Sequence, residues 1–343
     1  MTSTALASAS ALTGTATSTV TLVFVHGYQG SSESFHAFPG NLQHRLITQR
    51  SMAAKVYSYE YETRGDNAQR VAEFVAWLTD IKQGLHGNVI LLGHSMGGLL
   101  CVDTVRSLEL EKGTREPLKF TVTQVLAFDS PFLGVHPKAM VLTGASKLNK
   151  SVSEHTSAIS NLLFTANKTE ANAKRGSVSS TASSSSSWGT WGAVAAVGAA
   201  AAAAAYANRK VAGSVAGVVK SAVSKVVSEH SAFLGPLWSP GDQDSRLNWI
   251  LLHQQNNKFK FCCFYVITTM QESGSISRRT FISTPDAEKA YSGLFKGIEY
   301  DSTRNQKTNE CADEIEAHMN MFRPAIIGDG VYESILAGTL SEM

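Results

Sequence analysis

The sequence predicts an α/β fold in which a mostly parallel central sheet is covered by helices on both faces. Apolar runs rich in valine and leucine recur between positions 20 and 128, and each is short enough to be one buried strand. Helical segments separate these runs, which is the order that parallel βαβ units require. With 343 residues, of which 43% are apolar, the chain is long enough to bury one large core.

The predicted elements alternate along the chain. Strands are predicted at 20–25, 55–59, 89–92, 121–128, 259–269 and 279–283, with a polar turn at 272–277 before the last of them. The spacing of apolar residues predicts helices at 34–50, 68–81, 97–108, 246–254, 310–319 and 331–340. Regular alternation in the first part of the chain indicates that the parallel sheet begins there.

A region of low complexity interrupts this pattern. No charged residue lies between Arg175 and Arg209, where a serine run is followed by an alanine run. Residues 188–207 approach the length of roughly 20 apolar residues that crosses a bilayer. Alanine and glycine supply little drive for insertion, so we expect residues 188–230 to form a lid or a membrane-surface element. A true transmembrane helix is the alternative.

This composition divides the chain into four segments. We predict a disordered N-terminal tail (1–18), a first core segment (19–174), a Ser/Ala-rich insertion (175–235) and a second core segment (236–343).

Charge and cysteine content exclude several classes of function. A net charge of +2, without a basic block, argues against nucleic-acid binding. Four cysteines without paired metal spacing predict reduced structural thiols, and we expect neither a metal nor a cofactor. The first 20 residues have no basic residue and no apolar core, so we predict a cytoplasmic protein, membrane-associated through the insertion, and not a secreted one. Nothing in the sequence indicates an oligomeric state.

The sequence GHSMG at 93–97 fits G-x-S-x-G between a predicted strand and a predicted helix. That is the context of a nucleophile elbow, a tight strained turn that exposes a serine hydroxyl. The hydroxyl of Ser95 would then stand at a helix N-terminus, where backbone N–H groups favour a developing negative charge. The motif predicts that Ser95 is a nucleophile, whereas a structural glycine-rich turn is the simpler alternative.

Acyl transfer also needs two donors for the oxyanion. The backbone N–H of Met96, which follows the serine, would be the first. The second is expected from the loop after an earlier strand, and VFVHGY at 23–28 offers Tyr28 or Gly27 there. We interpret His26 as a structural histidine of that loop, because the donor is a backbone group.

The general base must be a histidine that follows the last strands, because such sites take their residues in the order Ser, acid, His. His318 lies beyond the apolar strand at 259–269, in a predicted loop between two helices. His94 stands on the wrong side of the elbow, and His230 and His253 precede the last strands.

The acid has several candidates. Asp129 follows the predicted strand at 121–128 and would reach the same carboxyl edge of the sheet as the serine. Asp313 and Glu314 are close to His318 in sequence, but a five-residue separation on one helix turns the side chain of Asp313 away. Asp301 is expected in the preceding loop. We favour Asp129 and leave the other three open.

These segments resemble the lipase-like putative serine esterases of the α/β-hydrolase superfamily. The resemblance is carried by VFVHGYQG at 23–30, YEYETRGD at 59–66, LLGHSMGG at 91–98, FDSPFLG at 128–134 and DEIEAHMNMF at 313–322. Fungal members are similar in a further respect, an Ala/Gly-rich insertion that begins near W-G-x-W, here Trp188–Trp191. The resemblance spans about residues 20–340.

The resemblance implies a serine hydrolase in which Ser95 and His318 are carried over by motif. In some lipases the acid follows the same strand, but one position later than Asp129. The sequence thus favours hydrolysis of a carboxylic ester, with a lipid ester as the preferred substrate because of the insertion. A non-catalytic or membrane-anchored interaction protein that retains the fold is the alternative.

Overall fold

The computed structural model describes part of the chain. The described residues are 18–80, 84–113, 116–136, 139, 240–256, 259–272, 275–301, 311 and 313–343. The predicted insertion at 175–235, including the apolar segment 188–207, lies outside them. In the described residues, no helix is long and apolar enough to cross a bilayer.

Seven strands and seven α-helices follow each other in these residues. The strands are β1 (Ser18–Val25), β2 (Met52–Tyr59), β3 (Gly87–His94), β4 (Phe120–Phe128), β5 (Lys260–Glu272), β6 (Ser275–Arg279) and β7 (Phe295–Asp301). The helices are α1 (Phe38–Arg50), α2 (Asn67–Thr79), α3 (Met96–Leu110), α4 (Pro240–Gln255), α5 (Glu314–Met319), α6 (Pro324–Ile327) and α7 (Asp329–Glu342). Short 3₁₀ turns occupy Ser32–Phe35 and Ser292–Leu294.

The strands form one sheet in the order β2-β1-β3-β4-β5, and all neighbours in this run are parallel. β7 adds to β5 in parallel, and β6 pairs with β5 in the antiparallel sense. Alternate strand residues face opposite sides, so Val23 and Leu91 pack with α3 while Leu22 and Leu92 pack with α1 and α7. The predicted fold class, a mostly parallel sheet with helices on both faces, is confirmed.

The position of β6 in the sheet follows from the pairing of β5, which has a neighbouring strand on each side. Thr268 pairs with Arg279 of β6 and also with Tyr300 of β7, so those two strands flank β5 on opposite sides. β4 and β7 also pair with the same residues of β5 at its start, so β6 lies on the β4 side, beyond the end of β4. The chain that leaves β6 therefore runs across the carboxyl edge of the sheet.

The predicted strand at 279–283 and turn at 272–277 were wrong in position. Residues 275–277 are already in β6, where their backbone groups pair with Met270, Gln271 and Glu272. Backbone pairing with a long neighbouring strand outweighs their polar composition. β7 was not predicted, because this strand mixes apolar residues with exposed charged ones.

The segment that carries His318 also differs from its prediction. α5 begins at Glu314, since the Asp313 carboxylate accepts hydrogen bonds from the backbone N–H groups of Ile315 and Glu316 and caps the helix. His318 consequently lies in the last turn of a short helix, inside the range predicted to be helical at 310–319, and not in a loop after that helix. Asp301, expected in a loop, is the last residue of β7.

An ion pair attaches α4 to the first part of the fold. Arg246 Nε lies 2.9 Å from Asp103 Oδ1, and Arg246 Nη2 lies 2.8 Å from Asp103 Oδ2. This bidentate contact joins α4 to α3 although 143 residues separate the partners. The four cysteines are free and buried.

Candidate active site

Ser95 forms the turn between β3 and α3. Its φ of 54° and ψ of −126° lie in a region that side-chain-bearing residues rarely adopt, so the backbone is strained at this point. The Ser95 N–H donates to the carbonyl of Phe128 at 2.9 Å, which attaches the turn to the end of β4. The strand-turn-helix context predicted around GHSMG is therefore present.

Three glycines make this turn possible, each for its own contact. A Cβ at Gly93 would lie 2.5 Å from the Cα of Gly98, across the turn itself. One at Gly97 would lie 2.3 Å from the carbonyl oxygen of Val25, at the end of β1. One at Gly98 would lie 2.1 Å from the hydroxyl oxygen of Ser130, which follows β4. α3 can begin this close to three strands only because these positions lack side chains.

The loop after β1 lies directly against the serine. A Cβ at Gly27 would be 2.8 Å from the Cβ of Ser95 and 3.5 Å from its hydroxyl oxygen. Tyr28 follows in the same loop and is buried. Met96 is the first residue of α3, so its N–H has no partner in the helix's own i→i−4 ladder. Of the residues predicted to supply oxyanion donors, Gly27 thus lies against Ser95 and Met96 follows it in the chain.

His318 and Asp129 are in direct contact. The distance from His318 Nδ1 to Asp129 Oδ2 is 3.0 Å, and both side chains are buried. When Asp129 is ionised it can only accept, so in that state Nδ1 carries the proton and Nε2 is left as the acceptor nitrogen of a neutral imidazole. His94, the residue before Ser95, stacks on the His318 ring with centroids 4.7 Å apart. His318 and Asp129 therefore meet at the carboxyl edge of β3 and β4, against His94, which is the chain neighbour of Ser95.

Asp129 occupies a second strained position. Its φ is 48°, and its N–H donates to the carbonyl of Phe264 on β5. Burial raises the pKa of Asp129 to about 7, while His94 and the backbone N–H of Val266 act in the opposite direction. Burial lowers the pKa of His318 to about 3, which keeps this imidazole uncharged at neutral pH.

The other acid candidates have other contacts. Asp313 caps α5. Glu314 is buried with Arg279 Nη1 at 3.6 Å from its Oε2. Asp301 ends β7, where it pairs in register with Thr269. In the described part of the chain, Asp129 is the carboxylate that hydrogen-bonds His318.

Comparison with known protein families gives one match that covers most of the chain. The model of the alpha/beta hydrolase family matches residues 22–294. The chain belongs to the alpha/beta hydrolase family. The resemblance drawn from the sequence motifs is confirmed at this level. No curated protein sequence matches the chain.

Several solved structures are similar to the chain at low identity. Bacillus licheniformis lipase BlEst2 in its mature form is 14% identical with a TM-score of 0.37, over 93% of this chain and 91% of that one. An extracellular alpha/beta-hydrolase from Paenibacillus is 22% identical with a TM-score of 0.24, over 32% of this chain and 40% of that one. The RedJ thioesterase from Streptomyces coelicolor is 18% identical with a TM-score of 0.24, over 33% of this chain and 40% of that one. The chain thus spans less than half the length of the last two.

The segment that follows β6 packs against His318 of this alpha/beta hydrolase. The Phe281 ring stacks on His318 with centroids 3.6 Å apart. The segment is held there because His136 N–H donates to the Phe281 carbonyl and Ser283 N–H donates to the Gly134 carbonyl. No periodicity in the sequence marks Phe281, so this contact was not predicted.

His26 supports the loop beside the serine. Its Nδ1–H donates to the Gly27 carbonyl at 2.8 Å, which leaves Nε2 as the acceptor from the Tyr61 N–H at 3.3 Å. The Tyr61 hydroxyl returns a hydrogen bond to the His26 carbonyl, and the two rings stack. His26 thus connects the β1 loop to the segment after β2.

Within the described residues of this family member, no group of three or more His, Cys, Asp or Glu side chains could hold a metal ion.

Proposed function

We propose that this alpha/beta hydrolase is a serine esterase that cleaves carboxylic esters through Ser95, His318 and Asp129. The observation that carries the proposal is the 3.0 Å contact between His318 Nδ1 and Asp129 Oδ2 next to a strained serine turn. A nucleophile, a base and a group that orients the base are the parts that covalent acyl transfer requires.

The reaction proceeds in two halves. His318 Nε2 accepts the hydroxyl proton of Ser95 as the oxygen attacks the ester carbonyl, and the imidazolium then gives that proton to the leaving alkoxide. The acyl group remains on Ser95. A water molecule next attacks the acyl carbonyl, His318 takes its proton, and the returning proton restores the Ser95 hydroxyl as the carboxylic acid leaves.

Backbone donors stabilise the negative oxygen in both halves. We assign this role to the N–H of Met96 and to the N–H of Tyr28 or Gly27, because a glycine at position 27 brings the loop backbone to Ser95. Each such donor is worth on the order of 3 kcal/mol in the transition state. Their alignment therefore matters as much as the three side chains.

A lipid ester is the substrate that we favour. The support is the low-charge segment between Arg175 and Arg209 together with the apolar Phe281 ring against His318. We extend the proposal to a cytoplasmic protein that contacts membrane or lipid surfaces through residues 188–230. Carbonate extraction of cell membranes tests the mode of contact, since release into the soluble fraction is expected and retention would indicate a spanning anchor.

A fluorophosphonate probe tests the proposed reaction, because it reacts with activated serines. Purified full-length protein should be labelled, whereas Ser95→Ala and His318→Ala should not. If the wild-type protein is not labelled, or if Ser95→Ala is labelled equally well, the hydrolase proposal fails. A wild-type protein that is not labelled but binds a partner protein would instead favour an interaction role.

A further inference from the structure

His94 contacts the proposed base but has no role in the reaction described above. It is the variable residue of the G-x-S-x-G motif, between Gly93 and Ser95. The sequence argues against His94 as the base because it lies on the wrong side of the elbow. Its contacts nevertheless reach both the backbone and the ring of His318.

The backbone contact of His94 gives a hydrogen-bond partner to a carbonyl at the end of α5. His318 lies in the last turn of α5, and the last four carbonyls of a helix have no partner inside it. His94 Nε2 lies 3.1 Å from the His318 carbonyl oxygen, and because that oxygen can only accept, Nε2 is the donor. The side chain of His94 therefore caps the helix end that bears the base.

The ring contact restrains the imidazole itself. His94 stacks on His318 with an interplanar angle of 28°, and Phe281 packs on the same imidazole at 18°. Asp129 fixes the direction of Nδ1 by its hydrogen bond. The imidazole plane is thus held by two rings while its orientation in that plane is set by one carboxylate.

We propose that His94 is a positioning residue that sets the distance between Ser95 and His318, a role that rests on the proposed function. His94 and Ser95 share a peptide bond, so the hydrogen bond from His94 connects the backbone of the base to the backbone of the nucleophile. A shift of α5 away from the elbow must first break this contact. Misplacing reacting groups by about 1 Å can lower rates roughly 100-fold, which is the scale on which such a connection acts.

The charge state of His94 suits this role. Burial lowers its pKa to about 3, with His318 acting in the same direction. His94 is therefore neutral at pH 7 and does not place a second positive charge beside the imidazolium that forms during the reaction. A permanent cation at this position would oppose the proton transfer.

Two substitutions of similar length separate the hydrogen bond from packing. His94→Gln keeps an amide donor near the position of Nε2, whereas His94→Met fills a similar volume without a donor. The readouts are the rate of fluorophosphonate labelling, kcat and KM for a p-nitrophenyl ester, and the melting temperature. Wild type and Ser95→Ala are measured in parallel.

We expect His94→Met to lower kcat and the labelling rate about 100-fold with little change in KM, and His94→Gln to recover most of that loss. Equal rates for the two variants, whether high or low, would overturn the positioning role. A loss that tracks the melting temperature in both would do the same, because it would mean packing alone. An unreactive wild type would instead defeat the proposed function, so the two failures are distinguishable.

Discussion

The His318 imidazole and the Asp129 carboxylate lie 3.0 Å apart although 189 residues separate them in the chain. Asp129 reaches this contact from the end of β4, and His318 from the last turn of α5. A buried carboxylate on Nδ1 selects the tautomer whose Nε2 can accept a proton. This relationship supports Asp129, the carboxylate that the sequence favours, as the acid of the proposed reaction.

Asp129→Asn should lower kcat by about 10⁴-fold, because an amide in that position favours the wrong tautomer of the base. Steady-state hydrolysis of a p-nitrophenyl ester measures the loss. Asp313→Asn and Glu314→Gln are the matched controls, since each also exchanges a carboxylate for an amide. Asparagine caps helices about as well as aspartate, so Asp313→Asn should leave α5 intact and retain most of the activity. Equal losses in all three variants would contradict the assignment.

The activity should rise with pH through about 7. Protonated Asp129 cannot accept the His318 Nδ1–H, and burial raises the pKa of Asp129 to about 7. The inflection belongs to the Asp129–His318 pair, because the two groups share one hydrogen bond. A profile of kcat/KM between pH 5 and 9 measures it, and an acid limb that ends below pH 5 would disagree with this account.

The raised pKa of Asp129 also affects stability, which should fall with rising pH whereas the activity rises. Because burial raises the pKa of Asp129 to about 7, we expect the folded protein to keep this proton to a higher pH than the unfolded chain, whose ordinary value is 3.8. Between these pH values the folded state binds more protons, so the contribution of Asp129 to stability falls as pH rises. Relative to wild type, Asp129→Asn should gain stability between pH 4 and 7. Urea unfolding at several pH values measures this, and a constant difference would contradict it.

Gly27→Ala tests the loop beside the serine. The added Cβ would lie 2.8 Å from the Ser95 Cβ and 3.1 Å from the His94 carbonyl, so the loop or the elbow must move. We expect a loss of about 100-fold in kcat, which is typical of misplaced reacting groups. Gly40→Ala is the control, because a methyl group there meets no atom within 4 Å. It lies in α1 and should stabilise the protein by about 0.5–1 kcal/mol. Full activity in Gly27→Ala would remove the loop from the proposed oxyanion site.

The elbow was predictable because its determinants are local. Gly93 and Gly97 flank Ser95 within five residues, and the apolar run directly before them predicts a buried strand. The position of the loop after β1, which we propose as the oxyanion loop, was predictable for the same reason, because a glycine follows a buried strand there. Both predictions depend on residues that are adjacent in the chain.

Two contacts of His318, with the Phe281 ring and with the His94 side chain, join segments that are distant in the chain. Phe281 reaches His318 only because β6 pairs with β5 beyond the end of β4, and nothing in its own segment encodes that placement. β7 was missed because an edge strand tolerates exposed charges such as Lys296 and Glu299. His94 could have been noticed, since it lies inside the motif, but its partner is a backbone carbonyl 224 residues away.

Arg246→Ala should lower the free energy of unfolding by about 3–5 kcal/mol, because it leaves the Asp103 carboxylate without its main partner. The Arg246 side chain is only 3% exposed and contacts both carboxylate oxygens, so water cannot replace it readily. Urea unfolding measures the change. Arg64→Ala is the control, since Arg64 and Glu62 are 57% and 66% exposed and such pairs contribute at most about 1 kcal/mol.

A double-mutant cycle completes this test. Asp103→Ala combined with Arg246→Ala should destabilise less than the sum of the two single variants, because removing both partners leaves no buried charge unpaired. The contact joins α3, which directly follows Ser95, to α4, which begins at Pro240. Loss of stability with unchanged kcat in the folded fraction would show that this ion pair holds the two parts of the fold together without orienting the reacting groups. Additive losses would mean that Asp103 and Arg246 act independently, contrary to their bidentate geometry.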